Sequence, residues 1–385
     1  MYKQGLKFIL LISLSALLLA AGCSGINLSR GIVPRENDWI MTGGTSEQHN
    51  IAKSIVNPPL EAVWSYNLDA GIGFSALSVS DEVLFVNNLQ GEMYGIDISS
   101  GGKIGQINFL GKDANSTPLI MGNDVIVTFA GDTKYSIASY SLVGAEINWR
   151  KKLGDIQTSP IMKDGYIYTG TLGGKFYKLD KNGKIIWFFK AGSPIHSTCA
   201  VSGDKAVFGT DKGNIFCINT SDGSKKWEFK AGAPVFASPL AFEDKIFIGS
   251  DDSNYVCIDI NTGSKIWSQN LKTKIFSGST LFNSSAVIFG GVDGNLYSLN
   301  IKDGSVNWKF HSYGVITASP ITSGSNVYFS SYDRKIYCIN GNDGKELWSY
   351  EMEGKGKTSP VIWKNFLFTA DDQNVICFTH KKDAK

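Results

Sequence analysis

Residues Tyr255-Val256-Cys257-Ile258-Asp259-Ile260-Asn261-Thr262-Gly263-Ser264-Lys265-Ile266-Trp267 read as strand, turn, strand. Tyr255 to Asp259 is rich in β-branched and aromatic residues. Asn261-Thr262-Gly263 breaks the run, and Lys265-Ile266-Trp267 begins another. The tryptophan is periodic. Trp187, Trp227, Trp267, Trp308 and Trp348 lie 40, 40, 41 and 40 residues apart, and Trp149 precedes them by 38. A period near 40 marks a repeat architecture.

Upstream, a second anchor keeps the same period. Ser75-Ala76-Leu77, Thr117-Pro118-Leu119, Ser159-Pro160-Ile161 and Thr198-Cys199-Ala200 are followed by Ser238-Pro239-Leu240, Ser279-Thr280-Leu281, Ser319-Pro320-Ile321 and Ser359-Pro360-Val361. These are eight units. Within one, Ala237 to Phe242 is a short apolar run, Glu243-Asp244 turns, and Lys245 to Gly249 alternates as a strand before the segment quoted above. No useful length shows helical i, i+3, i+4 spacing. Four short antiparallel strands per unit is the content of a propeller blade. The sequence predicts an all-β, eight-bladed propeller. The small hydroxyl residues of the second anchor fit innermost strands crowded about an axis, where they bond nearby backbone; a ligand-binding ring is the alternative.

The eighth unit ends near Phe378 without a tryptophan strand. The spare one stands at the other end, as Ala62-Val63-Trp64-Ser65-Tyr66. Pairing the two completes the last blade and removes two exposed sheet edges.

The Ile258-Asp259 to Gly263 and Trp267 pattern recurs as Ile218-Asn219 to Gly223 and Trp227, Leu299-Asn300 to Gly304 and Trp308, and Ile339-Asn340 to Gly344 and Trp348. It resembles the Asp-x-x-Thr-Gly-x-x-x-Trp repeat of the quinoprotein (PQQ-like) propellers. The resemblance implies that Trp64, Trp149, Trp187, Trp227, Trp267, Trp308 and Trp348 dock against neighbouring blades. Unit one departs, with Gly105 at the tryptophan position, and unit two is irregular around Gly144. Trp39 to Asn50 resembles a segment often found just before such propellers.

Lys3 and Lys7, the apolar run Phe8 to Leu19, and Ala20-Ala21-Gly22-Cys23 form an export signal. The last four residues resemble the lipobox of bacterial lipoproteins, with Ala20 where Leu is commoner. The resemblance implies lipidation of Cys23, and Ser24 after it is compatible with outer-membrane sorting. The reading divides the chain into a signal peptide at 1–22, a lipid-anchored tether at 23–58, a propeller at 59–380 and a tail at 381–385.

A net charge of +2 gives no nucleic-acid footprint. Cys217, Cys257, Cys338 and Cys377 share one repeat position, so they lie too far apart for disulfides and read as small buried hydrophobes. Cys199 replaces an inner-strand proline. His49, His196, His311 and His380 form no metal-spaced pair, and no nucleophile elbow, Walker or dinucleotide motif occurs. His196 and His311 are expected on loops of one rim. Asp211, Asp251-Asp252, Asp293, Asp333 and Asp371-Asp372 read as turn residues capping their own backbone. No catalytic, cofactor-binding or metal-binding residue is predicted.

Fold does not dictate function. Signal, lipobox and eight units together resemble the propeller lipoproteins of the outer-membrane β-barrel assembly machinery. That implies a non-catalytic envelope scaffold on the periplasmic face of the outer membrane, with a protein partner such as a BamA-type insertase. The alternatives are a general envelope propeller binding another protein or a glycan, and a PQQ-dependent dehydrogenase. The dehydrogenases resembled commonly carry an adjacent Cys-Cys pair and large insertions, both missing from this chain.

Overall fold

The computed structural model describes residues 25–74, 77–110, 113–131 and 134–381. The described strands form eight four-stranded antiparallel sheets, and no helix occurs among the described residues. Seven blades run in chain order over residues 77–108, 119–151, 161–190, 200–230, 240–270, 280–311 and 321–351. The protein is an eight-bladed β-propeller.

Blade five shows how sequence sets the unit. Its strands are Leu240–Phe242, Lys245–Gly249, Asn254–Asp259 and Lys265–Asn270. The two middle strands are buried along most of their length, as blades stacked on both faces require. The turn between the outer strands is built by Asp259, whose Oδ1 accepts the N–H groups of Asn261 and Thr262 at 2.9 and 2.8 Å. Gly263 completes that turn at φ 75°, a conformation that strains side-chain-bearing residues.

The eighth blade contains Val361–Trp363, Phe366–Ala370 and Asn374–His380, and its outermost strand is Leu60–Asn67 from the chain's other end. The two pair antiparallel from Leu60 opposite His380 to Asn67 opposite Asn374. The ring is closed by this strand.

Adjacent blades are joined by tryptophan. Trp267 Nε1 donates to the carbonyl of Ile301 in the next blade at 3.0 Å. Trp64, Trp149, Trp187, Trp227 and Trp308 donate in the same way to Ile98, Lys181, Thr220, Ile260 and Gly341 at 2.8–3.1 Å. Each ring also covers a glycine of the next blade's outer turn; a Cβ on Gly304 would lie 2.6 Å from the Trp267 ring. Trp348 is different. It packs on Tyr350 and Phe378, and no indole hydrogen bond is formed among the described residues. Its neighbour is blade eight, whose outer strand arrives from the far end of the chain, so the outer turn that would offer the carbonyl and glycine is missing there.

The tether reading does not hold for residues 25–56. These residues form a strap that lies across the ring and meets every blade. Trp39 pairs with Val79, and the amides of Ile120, Val201, Ala241, Leu281 and Thr322 donate to Ile40, Ser46, Glu47, His49 and Asn50. Lys163 of blade three reaches Glu47 at 3.2 Å, and Trp363 Nε1 of blade eight donates to Asp38 at 2.9 Å. Ile26, Ile32, Trp39, Met41, Ala52 and Val56 are buried. The stretch reads as a polar linker because its apolar residues follow no period, yet each finds a seat, and burial of the larger ones, such as Ile26, Met41 and Val56, stabilises by about 1.5–3 kcal/mol each.

One seat explains the irregular first unit. At Gly105 a Cβ would lie 2.9 Å from Ile26 Cα, so the strap occupies the space of the missing tryptophan. Leu28 N–H donates to the carbonyl of Leu142 at 2.7 Å, and Tyr140 Oη donates to Ile26 O at 3.0 Å.

All five cysteines of the described residues are buried and unpaired. Cys23 and the export signal lie outside the described residues, as does Ser75.

Candidate functional site

The inner strands surround an axial cavity of 380 Å³. The strap covers one end, where Trp39, Thr42, Gly43 and Asn50 lie beside inner-strand residues of blades one, two and eight. The other end opens through the loops that lead into the inner strands.

Two tiers of side chains line it. The deeper tier is the hydroxyl ring. Ser159 Oγ accepts Thr117 N–H, Thr198 Oγ1 accepts Ser159 N–H, and Ser359 Oγ accepts Ser319 N–H, all at 2.9–3.0 Å. Each hydroxyl thus ties two neighbouring blades together, and its own proton remains available. The blade-six member is corrected by the structure. Gly278, not Ser279, lines the cavity. The first turn of blade six has an extra residue, Asn283-Ser284-Ser285, which displaces the anchor by one. Ser279 is buried in the blade and meets Tyr255 Oη at 2.5 Å. A Cβ at Gly278 would lie 2.6 Å from Ser319 Oγ, so the ring has no room for a side chain there.

The outer tier lies two residues before the ring. It comprises Asn115, Gln157, His196, Phe236, Phe276 and Thr317, from blades two to seven in order. His196 Nδ1 is 2.8 Å from Asp211 Oδ1, which orients its ring. His196, Phe236 and Phe276 meet edge to face at centroid distances of 5.4 and 5.6 Å. Thr317 Oγ1 is buried with no hydrogen-bond partner. Lys357, in the corresponding place of blade eight, is turned onto Asp372. Among the described residues, no Lys, Arg, Asp or Glu lines the cavity. The sequence offered no signal for this tier, since its residue types differ in every blade.

His311 does not share the site with His196. It ends the outer strand Val306–His311 and meets Asn295 and Tyr313. Of the acidic turn residues, some cap their own backbone: Asp252 accepts Asn254 N–H at 3.0 Å, Asp293 accepts Asn295 N–H at 3.2 Å and Asp371 accepts Asn374 N–H at 2.8 Å, whereas the carboxylates of Asp211, Asp251 and Asp372 instead meet His196, Lys274 and Lys357. Among the described residues, no cluster of three His, Cys, Asp or Glu is placed to hold a metal.

On the outside, blade three differs from its neighbours. Its edge strand exposes Ile185, Ile186 and Phe188, where blade four presents Lys225, Lys226 and Glu228. Charges on an edge discourage further strand pairing, and this edge lacks them before Lys190.

The sequence signature of the family described as outer membrane protein assembly factor BamB matches residues 58–188 and 173–385. The chain belongs to this family. A crystal structure of BamB from Moraxella catarrhalis matches with a TM-score of 0.69 at 17% identity, over 83% of this chain and 99% of that one. Quinohemoprotein alcohol dehydrogenase from Comamonas testosteroni matches with a TM-score of 0.79 at 11% identity, over 91% and 82%. A europium-containing methanol dehydrogenase matches at 0.76 and 10% identity, over 89% and 98%. At such identities the likeness is one of fold. No curated protein sequence matches the chain.

The dehydrogenase neighbours raise the question of a quinone cofactor. Pyrroloquinoline quinone carries three carboxylates. Among the described residues, the cavity of this BamB-family chain offers them no Lys or Arg, and offers a divalent ion no acidic residue. Buried charge without a partner is costly. The lining residues do not fit that group.

Proposed function

We propose that the chain is a non-catalytic, lipid-anchored scaffold of the bacterial envelope, acting in outer-membrane β-barrel protein assembly through a protein partner. The family match over both halves of the propeller carries this reading. The export signal and the Ala-Ala-Gly-Cys23 lipobox support a lipid anchor, with the propeller on the periplasmic face of the outer membrane. The partner this reading implies is a BamA-type insertase.

The test is affinity purification of the tagged chain from crosslinked native envelopes, followed by mass spectrometry. Photo-crosslinkers at Phe188, on the apolar edge of blade three, and at the exposed Tyr313 locate the contact. Recovery of a barrel insertase is expected; its consistent absence would overturn the assembly role. A Cys23→Ala variant should leave the membrane fraction.

A second reading, a propeller that binds another envelope protein or a glycan, is favoured by a cavity whose described lining has no Lys, Arg, Asp or Glu and presents the carboxamides of Asn115 and Gln157. The dehydrogenase reading predicts dye reduction with PQQ, Ca²⁺ and an alcohol or sugar. No turnover is expected.

A further inference from the structure

The axial cavity is built rather than residual. It has 380 Å³ and one open end, within the ~300–1,000 Å³ range of small-molecule sites. Its two walls differ in chemistry. Blades four, five and six contribute an aromatic arc of His196, Phe236 and Phe276 in edge-to-face contact. Blades two and three contribute the carboxamides of Asn115 and Gln157, which make no side-chain hydrogen bond among the described residues.

Three features restrict the ligand. The described lining has no Lys, Arg, Asp or Glu, which disfavours an ion whose desolvation would go uncompensated. The carboxamides of Asn115 and Gln157 face the cavity without a protein partner among the described residues, and a wholly apolar ligand would cover them and leave them so, at a cost of about 1–3 kcal/mol. An extended peptide needs free main-chain groups to pair with, but the inner-strand amides of Thr117, Ser159 and Ser319 are already bonded to the hydroxyl ring.

A neutral ligand with an apolar face and a periphery of hydroxyls meets all three conditions. A carboxamide donates and accepts, so Asn115 and Gln157 suit hydroxyl groups. Aromatic rings suit the C–H face of a sugar ring. Asp211 at 2.8 Å from His196 Nδ1 leaves Nε2 as the ring nitrogen without a partner. We propose that the channel mouth is a binding site for a neutral saccharide of one or two rings, held between the Phe236–Phe276 arc and the Asn115–Gln157 amides. The proposal goes beyond the scaffold role and does not depend on which protein partner the scaffold has.

The test titrates glucose, galactose, N-acetylglucosamine and maltose into the full chain, read by calorimetry and saturation-transfer NMR. Saturable binding of at least one sugar is expected, with a Kd below about 10 mM. Gln157→Leu keeps the side-chain size and removes the polar group; Phe236→Leu removes the ring. Each should weaken binding about 10-fold, which is about 1.4 kcal/mol, with an unchanged melting temperature. No saturable binding of any of the four sugars by about 50 mM would overturn the proposal. Binding that survives both substitutions would also overturn it, because the sugar would then sit elsewhere. So would Phe236-dependent binding of pyrroloquinoline quinone without sugar binding.

Discussion

The backbone N–H of Leu28 donates to the carbonyl of Leu142 at 2.7 Å, the acceptor position that tryptophan indoles use at six other blade junctions. At this one junction the strap replaces a side chain with main chain. Ile26 beside it is fully buried. Ile26→Ala should therefore cost about 2–5 kcal/mol, as for a core residue. Denaturant unfolding checks it; a loss below about 0.5 kcal/mol, the range of ordinary surface changes, would show that the strap is not docked.

Trp267 and Gly304 form a testable pair. Trp267→Ala should cost about 3–5 kcal/mol as a large-to-small core change. Gly304→Ala brings a Cβ to 2.6 Å from the indole and adds strain at φ 74°. With the indole removed, only the strain remains. A double-mutant cycle should then show the two losses to be less than additive. Strict additivity would mean that the ring does not lie over the turn.

Deleting residues 60–67 removes the outer strand of blade eight and exposes the edge of Asn374–His380. Light scattering and calorimetry should show aggregation or loss of the cooperative melt. A monomeric deletion variant with an unchanged melt would contradict closure by this strand.

Glu47 ties the strap to Lys163. Burial alone would raise its pKa, but hydrogen bonds from Lys163 and Ser46 outweigh it and hold the carboxylate below the ordinary range. A depressed folded-state value means stabilisation that is complete above the unfolded pKa of about 4.3 and fades as pH falls through the lower folded value. Glu47→Gln should be less stable than the parent at pH 7. The difference should vanish in acid, as thermal melts across pH 2–7 would register.

Burial pushes the thiols of Cys217, Cys257 and Cys338 up to about 12. Folded protein should react with a thiol reagent at pH 8 only as fast as it opens, and denaturant should release all five thiols of the described residues at once. Rapid labelling of the native state would show that one of these strands is exposed.

The ring was legible because one short pattern, glycine turn then tryptophan, repeats and because its spare strand is visible at Trp64. Other features depend on which blade stands next to which. Trp348 carries the pattern but has no acceptor among the described residues, since its neighbour's outer strand comes from the other end of the chain. Gly278 was hidden by one inserted turn residue. The strap escaped because Ile26, Met41 and Val56 are each buried in a different part of the core, leaving no period to read. The mouth residues Asn115, Gln157, His196 and Phe236 occupy equivalent places with unrelated chemistry, so only the closed circle brings them together.

The seating of Ile26 also bears on movement. A free tether of 35 residues would let a propeller wander roughly 30–35 Å from its attachment point. With the strap docked from Gly25 onward, an acyl group on Cys23 would be joined to the body through Ser24 alone, a reach of about 7 Å. The propeller would ride close against the bilayer at the flank of blades one and two, with little freedom to swing, and would present the same side to whatever approaches along the membrane.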